Sequence, residues 1–190
     1  MKTKNMQKLN TFSNDEYMPG NIIKRVLWYV FSELFINTMI PFPIKMKIFI
    51  LKIFGAKIGE GVVIKPNLKI KYPWFLCVGA NSWIGEEVWI DNLDFVRIAN
   101  DVCISQGAMI VTGSHNYNIS SFDLITKNIK IESGVWICAK SIVLQGTICK
   151  KGSILASGSV ANGVLEKKMI YAGNPAKKVK KRFKNAMTDK

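Results

Sequence analysis

The chain has 190 residues, 48% hydrophobic and 21% charged, which fits one globular domain with an appendage and excludes disordered and collagen-like classes. Its net charge of +14 sits at the ends: residues 1–60 hold 9 Lys/Arg against 4 Asp/Glu, residues 61–124 hold 4 against 6, and residues 125–190 hold 14 against 3. With one histidine, His115, and four cysteines (Cys77, Cys103, Cys138, Cys149) in no CxxC pair, a multi-histidine metal site within one chain is excluded and no metal is expected.

The opening MKTKNMQKLN has no apolar stretch behind its charges, so no secretory leader is expected. No run of eighteen apolar residues suggests a spanning helix. A cytoplasmic location and free thiols follow as expectations. The sequence holds no RNP-type run, zinc-finger spacing or recognition-helix signature, so nucleic acid is not expected as a partner.

Residues 1–20 are polar with little periodicity and read as a flexible segment. Residues 21–57 read as a helical cap. Apolar residues recur at helical spacing over 21–39, with Asn21 as a candidate cap. Pro41 and Pro43 interrupt, and 44–54 (IKMKIFILKIF) reads as a second helix ended by Gly55. Two readings fit these helices. They cover the open end of a repeat domain, or they touch an anionic membrane surface with aromatics and lysines at headgroup level.

From Ile58 a six-residue step appears. Its first position is Ile58, Ile64, Ile70, Val78, Ile84, Ile90, Ile98, Ile104 and Ile110, then Ile125, Ile131, Ile137, Val143, Cys149, Leu155 and Ala161; fourteen of the sixteen are Ile, Val or Leu. The fourth position is mostly Gly, Asn or Asp (Gly61, Asn67, Asn81, Asp101, Gly107, Asn128, Gly134, Gly146, Gly152, Gly158), with Glu87 and Lys140 as the departures. The fifth is small or β-branched. Six is not a multiple of 3.6, so a helix is excluded. A plain antiparallel strand would not place a turn former every six residues. The solution is an all-β solenoid of short parallel strands over 58–165, with the first-position aliphatics pointing inward. Three interruptions begin after Ile70, Ile90 and Ile110, twenty residues apart. Three sides per coil would make all three leave from one corner, the last as a long loop over 111–124. Residues 166–190 form a basic tail, which Gly173-Asn174-Pro175 turns off the prism.

The hexads, the TGSHNY excursion at 112–117 and AGNPAKKVKKR at 172–182 resemble the hexapeptide-repeat acyltransferases. Within them, KIKYPWFLCVG, IGEEVWIDNLDF and VCISQGAMIVTGSHNY resemble the colanic-acid-biosynthesis-type O-acetyltransferases. The resemblance covers about residues 45–182. It implies a left-handed parallel β-helix, a homotrimer with the active site between adjacent prisms, and acetyl-CoA as donor. It implies cofactor-lining roles for Ala139, Ser157, Asn162 and Gly163, and phosphate contacts for Lys177 and Lys180. Lys178, Lys181, Arg182 and Lys184 are left as a solvated face or an anchor.

Acetyl transfer to a hydroxyl requires a base for its proton and a donor for the tetrahedral oxyanion. An imidazole is suited to that role near neutral pH, and His115 is the sole candidate. Many relatives place an acid directly after this histidine; here Asn116 follows, so a backbone carbonyl or a carboxylate such as Asp94 or Asp91 must orient the ring. Asn92, Asp94 and Asn116 are candidates for acceptor contact, although corner Asp and Asn are commonly turn formers. Trp83, Trp89 and Trp136 pack a subunit interface, line the site or only cover the outer faces.

The expected function is acetylation of a sugar hydroxyl, free or lipid-linked, in exopolysaccharide or capsule biosynthesis. It would take place in the cytoplasm, with peripheral contact at the inner membrane face. Other acceptors (serine, a free galactoside, an amino sugar) and a non-catalytic interaction solenoid remain as alternatives. Zinc carbonic anhydrases on the same fold need three histidines per site, which a single histidine per chain argues against.

Overall fold

The computed structural model describes residues 6–183. Two helices, α1 (Ile22–Phe35) and α2 (Ile44–Ile53), precede a parallel β-solenoid of three faces. The first face stacks Lys57–Ile58, Leu76–Val78, Val96–Ile98, Ile129–Ile131, Ile148–Cys149 and Val164–Leu165. The second stacks five short strands from Val63–Ile64 to Ile154–Leu155, followed by Met169–Gly173 and Ala176–Lys181. The third stacks Lys69–Ile70, Trp89–Asp91, Met109–Val111, Ile142–Val143 and Val160–Ala161. The six strands of the first face mark six coils.

The hexad explains this architecture position by position. First-position residues from Ile58 to Ala161, Ile125 apart, lie inside and stack in register on those of neighbouring coils: Ile64 with Ile84, Ile70 with Ile90, Val143 with Ala161. Eleven of the twelve fourth-position residues have positive φ, including Glu87 at 58° and Lys140 at 54°. The corner imposes that conformation even on residues that resist it. Fifth positions are buried, and some of their hydroxyls bond to corner carbonyls, as Ser82 Oγ does to Ala99 at 2.9 Å and Ser141 Oγ to Cys138 at 2.6 Å, while Ser159 Oγ accepts from the Gly173 N–H at 3.0 Å. At the second position a side chain would strike the next coil: a β-carbon on Gly85 would lie 2.6 Å from the Gln106 nitrogen.

Two repeat assignments are corrected. Ile125 and Asn128 do not belong to the ladder. Leu124–Thr126 instead pairs antiparallel with Gly113–His115 in a hairpin arm, and the coil resumes at Ile129–Ile131 against Val96–Ile98. The exception among the fourth-position φ angles is this same Asn128. The tail also differs from expectation. It does not leave the prism but folds back, Ala176–Lys181 pairing antiparallel with Met169–Gly173 on the second face. Arg182 then reaches the corner carbonyls of Gly134 at 2.6 Å and Gly152 at 3.2 Å, so it anchors the tail. Lys184 lies outside the described residues.

The helices cover the first coil. Asn21 caps α1 by accepting from the Ile23 N–H at 2.7 Å. Trp28 is buried and donates its indole N–H to the Ile70 carbonyl at 3.0 Å. Ile36, Ile50, Leu51 and Phe54 join the same core as the inward ladder. The end of a solenoid exposes its apolar interior, and a cap of this kind removes that exposure.

Candidate active site

All three interruptions leave the corner between the third and first faces, because the strands that precede them are neighbours in the third face. They stack as a wall. The lowest runs through a short 3-10 turn at Pro73–Phe75, the second spans 91–95, and the third is the arm that carries His115. Thr112 ties arm to wall: its hydroxyl bonds to the Asp91 carbonyl at 3.2 Å and accepts from the Asp94 N–H at 3.0 Å. Gly113 permits the close approach, since a β-carbon there would lie 2.6 Å from Leu93 Cδ1.

His115 ends the outgoing strand of the arm and is half-buried. Its Nδ1 lies 2.8 Å from the Phe122 carbonyl oxygen. A carbonyl can only accept, so Nδ1 carries a proton, which leaves Nε2 as the ring nitrogen that can act as a base. Phe122 has φ +53° and stacks its ring on the imidazole at 4.3 Å, the planes 3° apart. Phe12 meets the imidazole edge-on at 5.7 Å. The ring is therefore held by one polar and two aromatic contacts, with a backbone carbonyl in the role an acidic neighbour would play. Asp94 does not hold the imidazole; its carboxylate accepts from the Phe95 N–H.

Phe12 belongs to the segment expected to be flexible. Residues 8–17 instead lie along the arm and wall: the Lys8 N–H bonds to Ser120 O at 2.7 Å, and Tyr17 donates its hydroxyl to Leu93 O at 2.7 Å. Burial, reinforced by Tyr72 and the Asp94 and Asp91 carboxylates, pushes the Tyr17 phenol well above its ordinary value, so it stays a neutral donor.

The other candidates separate. Asn92 is fully buried, and both ends of its amide are committed to Tyr72: Oδ1 accepts from the backbone N–H at 3.0 Å and Nδ2 donates to the carbonyl at 2.6 Å. It braces the wall and, being fully buried, is not open to an acceptor in this chain. Asn116 closes the arm's tip, its Oδ1 accepting from the Asn118 N–H at 3.1 Å. Ala139 and Ser157 lie one above the other on the corner between the second and third faces, where the Gly158 N–H meets Ala139 O at 3.0 Å. Lys177 pairs with Ala172 beside Gly173, whose N–H bonds to Ser159 Oγ at 3.0 Å, so it shares that corner. Lys180 lies further along the hairpin opposite Ile170. Asn162 and Gly163 lie on the third–first corner, two coils beyond the arm. All six are exposed or half-buried, but within one chain Asn162 and Gly163 stand on a different corner from Ala139, Ser157 and Lys177.

A cleft of about 440 Å³ opens between α1 and the third face, below the arm, lined among others by Arg25, Tyr29, Lys69, Lys71, Trp89 and Asp91. Among the described residues, no three His, Cys, Asp or Glu side chains come together to hold a metal. Sequence reasoning did not find Phe122 or Phe12. Neither has a local signal, because each reaches His115 only through the arm's folded geometry.

A three-faced parallel solenoid of hexads is the fold of the hexapeptide-repeat acetyltransferases. The solved structures agree. The chain superposes on a maltose O-acetyltransferase of Clostridium difficile with TM-score 0.79 at 20% identity, over 91% of this chain and 92% of that one. It superposes on a hexapeptide-repeat acetyltransferase of Vibrio cholerae, solved with acetyl coenzyme A, with TM-score 0.77 at 19% identity, over 85% and 88%. No protein-family model matches the chain. By sequence it is 32% identical over 178 residues to the colanic acid biosynthesis acetyltransferase WcaF of Escherichia coli K12, over 93% of this chain and 98% of that protein. The chain belongs to the colanic-acid-biosynthesis acetyltransferase family and is an acyltransferase.

Proposed function

We propose that the protein transfers the acetyl group of acetyl-CoA to a sugar hydroxyl during assembly of a surface polysaccharide, with His115 as general base. The observation that carries this reading is the imidazole's geometry: Nδ1 tied to the Phe122 carbonyl, Nε2 unbonded on a projecting arm. Nε2 takes the proton of the acceptor hydroxyl as its oxygen attacks the thioester carbonyl. The C–S bond then breaks, and the departing thiolate receives the proton from the imidazolium. The bound donor supplies the activated acyl group. The chain supplies the base, small residues beside a pantetheine arm, and cations at Lys177 and Lys180 for phosphates.

The active unit is a homotrimer in this reading. Within one chain His115 projects from the third–first corner, whereas Ala139, Ser157 and Lys177 lie on the second–third corner. A neighbouring prism can bring the two corners together. The outer faces suit such a contact: Trp83 and Trp136 on the second face are 59% and 44% exposed, and Trp89 on the third is 44% exposed. Two different apolar faces per prism fit a head-to-tail ring, the arrangement a cyclic trimer requires. The cleft at Trp89 offers an aromatic platform, the Asp91 carboxylate and three cations, a mixture suited to a sugar or a sugar bearing anionic groups. Asp94 and Asn116 border the wall and the arm on the acceptor side. A cytoplasmic location matches the donor.

The test is thiol release from acetyl-CoA with a panel of acceptors: hexoses, nucleotide sugars, lipid-linked saccharides, serine and amino sugars. The reading expects release that depends on a saccharide hydroxyl and is lost in His115→Ala. Release with serine or an amine but no saccharide would replace the acceptor assignment, and full activity of His115→Ala would remove the base.

A further inference from the structure

α1 is apolar nearly all round, which in a water-soluble protein marks a helix covered on every side. Trp28 and Ser32 face the solenoid. Away from that side Ile22, Ile23, Val26, Leu27, Val30 and Leu34 are 47–66% exposed, Ile22 and Val26 at the edge that also lines the cleft against the third face. At 100° per residue they fill an arc of about 140°, interrupted only by Glu33. The link beyond α1 adds Met39 and Ile40, 67% and 58% exposed. The outward side of α2 has a different composition: Phe49 and Ile53, 63% and 62% exposed, sit beside the exposed Lys45 and Lys52. An exposed apolar patch of this size on one end of a domain calls for a covering surface.

We infer that the outer surface of this two-helix cap docks on an anionic lipid bilayer. The charge distribution selects that occupant. Residues 21–57 hold six cations (Lys24, Arg25, Lys45, Lys47, Lys52, Lys57) and one acid, Glu33, a net of 6 − 1 = +5, and no acid occurs between Glu33 and Glu60. With Lys47 buried the surface balance is 5 − 1 = +4, so a second copy meeting cap to cap would oppose +4 with +4. A bilayer with anionic headgroups provides hydrocarbon for the α1 arc and counter-charge for the lysines of α2, whose stems lie along apolar neighbours while their ammonium groups reach the headgroups. Lys47 is 1% exposed and takes no part. The contact is peripheral: α1 has 14 residues, about 21 Å of helix, and no described helix is long and apolar enough to cross a membrane.

The placement has a consequence for the active arm. The cap covers the first coil, and the arm leaves the third, two strand spacings or about 10 Å along the axis. On the proposed function, docking holds His115 within reach of a saccharide displayed at the headgroup layer.

The experiment is co-sedimentation of the full chain with phosphatidylglycerol-containing vesicles and with pure phosphatidylcholine vesicles, alongside sedimentation velocity without lipid. The native chain should bind the anionic vesicles in a salt-sensitive way and the neutral ones far less. Lys45→Gln with Lys52→Gln removes two cations, which at ~1 kcal/mol per surface charge should weaken binding about 30-fold. Leu27→Asp with Val30→Asp, both on the outer arc and outside the cleft, should abolish binding without altering the oligomeric state. The lysine pair tests the inference even if the aspartate pair fails to fold. Acetylation of a soluble acceptor by the lysine pair should match the native rate, so a failure of docking is separable from a failure of the catalytic reading. Absence of binding to anionic vesicles, equal binding to neutral ones, or a change of oligomeric state in the aspartate pair with vesicle binding intact would overturn the inference; the last outcome assigns the face to a second copy.

Discussion

Phe122→Ala is the most informative perturbation short of removing the histidine. Phe122 acts on His115 twice, through its carbonyl at 2.8 Å from Nδ1 and through a ring stacked at 4.3 Å with planes 3° apart. The alanine keeps the carbonyl and removes the ring. A stacked aromatic pair contributes ~0.5–1.5 kcal/mol beyond its buried area. If the loss falls wholly on the transition state, kcat drops about two- to thirteen-fold. If the backbone at φ +53° also shifts and the hydrogen bond goes with it, another ~0.5–1.5 kcal/mol is lost, and the total reaches about 160-fold. Phe122→Gly separates these cases, because glycine holds the left-handed conformation without the steric cost of a side chain. It should lose the ring's contribution only and unfold at a higher temperature than the alanine variant. The assay is steady-state thiol release, with the KM for acetyl-CoA expected to stay near its native value in both variants. Native kcat in Phe122→Ala would refute the claim that this residue positions the base. An unchanged kcat in the alanine variant with a raised KM would instead place Phe122 in donor binding.

Lys47 is almost fully buried, and burial lowers its ammonium below the usual lysine range. The unfolded chain therefore holds more protons than the folded one as pH rises toward 10.5, so stability gained at this site grows with pH. Lys47→Met should raise the melting temperature near neutral pH, and its advantage should shrink in alkaline buffer; an advantage that does not vary with pH would contradict the buried-charge account. The Cys149 thiol, on the inward ladder, is pushed up to about 12 by burial, and burial also raises Cys138. Both should resist an aromatic disulfide reagent until the chain unfolds, whereas labelling of Cys149 in folded protein would place it outside the core. Ile110→Ala, at a fully buried ladder position one coil step before the arm, should cost about 2–5 kcal/mol in denaturant unfolding, and a cost below ~1 kcal/mol would argue against close packing of the ladder. Glu87→Gly, at φ 58° on a corner, should stabilise by ~1 kcal/mol, and destabilisation there would show that the Glu87 side chain contributes a contact of its own.

The solenoid was legible because each hexad position meets one environment coil after coil. A residue's place in the step says whether it faces the core, turns a corner or faces out. Glu87 and Lys140 illustrate the strength of that logic: their types argue against a left-handed corner, yet their register puts them in one. The same logic failed over the arm. Ile125 stands six residues before Ile131, and Asn128 resembles a corner, but a β-branched hairpin strand produces that spacing without belonging to a coil. The corner from which the wall rises was legible from the twenty-residue spacing of the interruptions. What the wall residues do was not. Asn92 resembles an acceptor ligand in sequence and is a buried brace, because its role depends on Tyr72 twenty residues earlier in the coil below. Phe12 and Phe122 reach His115 across separations that no local pattern encodes. The tail's basic run was visible, but its return onto the second face depends on edge hydrogen bonds left open by Met169–Gly173.

A structure with coenzyme A bound tests the central claim most directly, through the distance from His115 Nε2 to the cofactor's sulfur. The account predicts that the sulfur lies within about 6 Å of Nε2, leaving room for one acceptor oxygen at ~3 Å from the base. It also predicts that the pantetheine arm runs beside Ala139 and Ser157 of an adjacent prism. A sulfur seated more than about 10 Å from every His115 in the assembly, too far for one hydroxyl to touch both base and thioester, would contradict it.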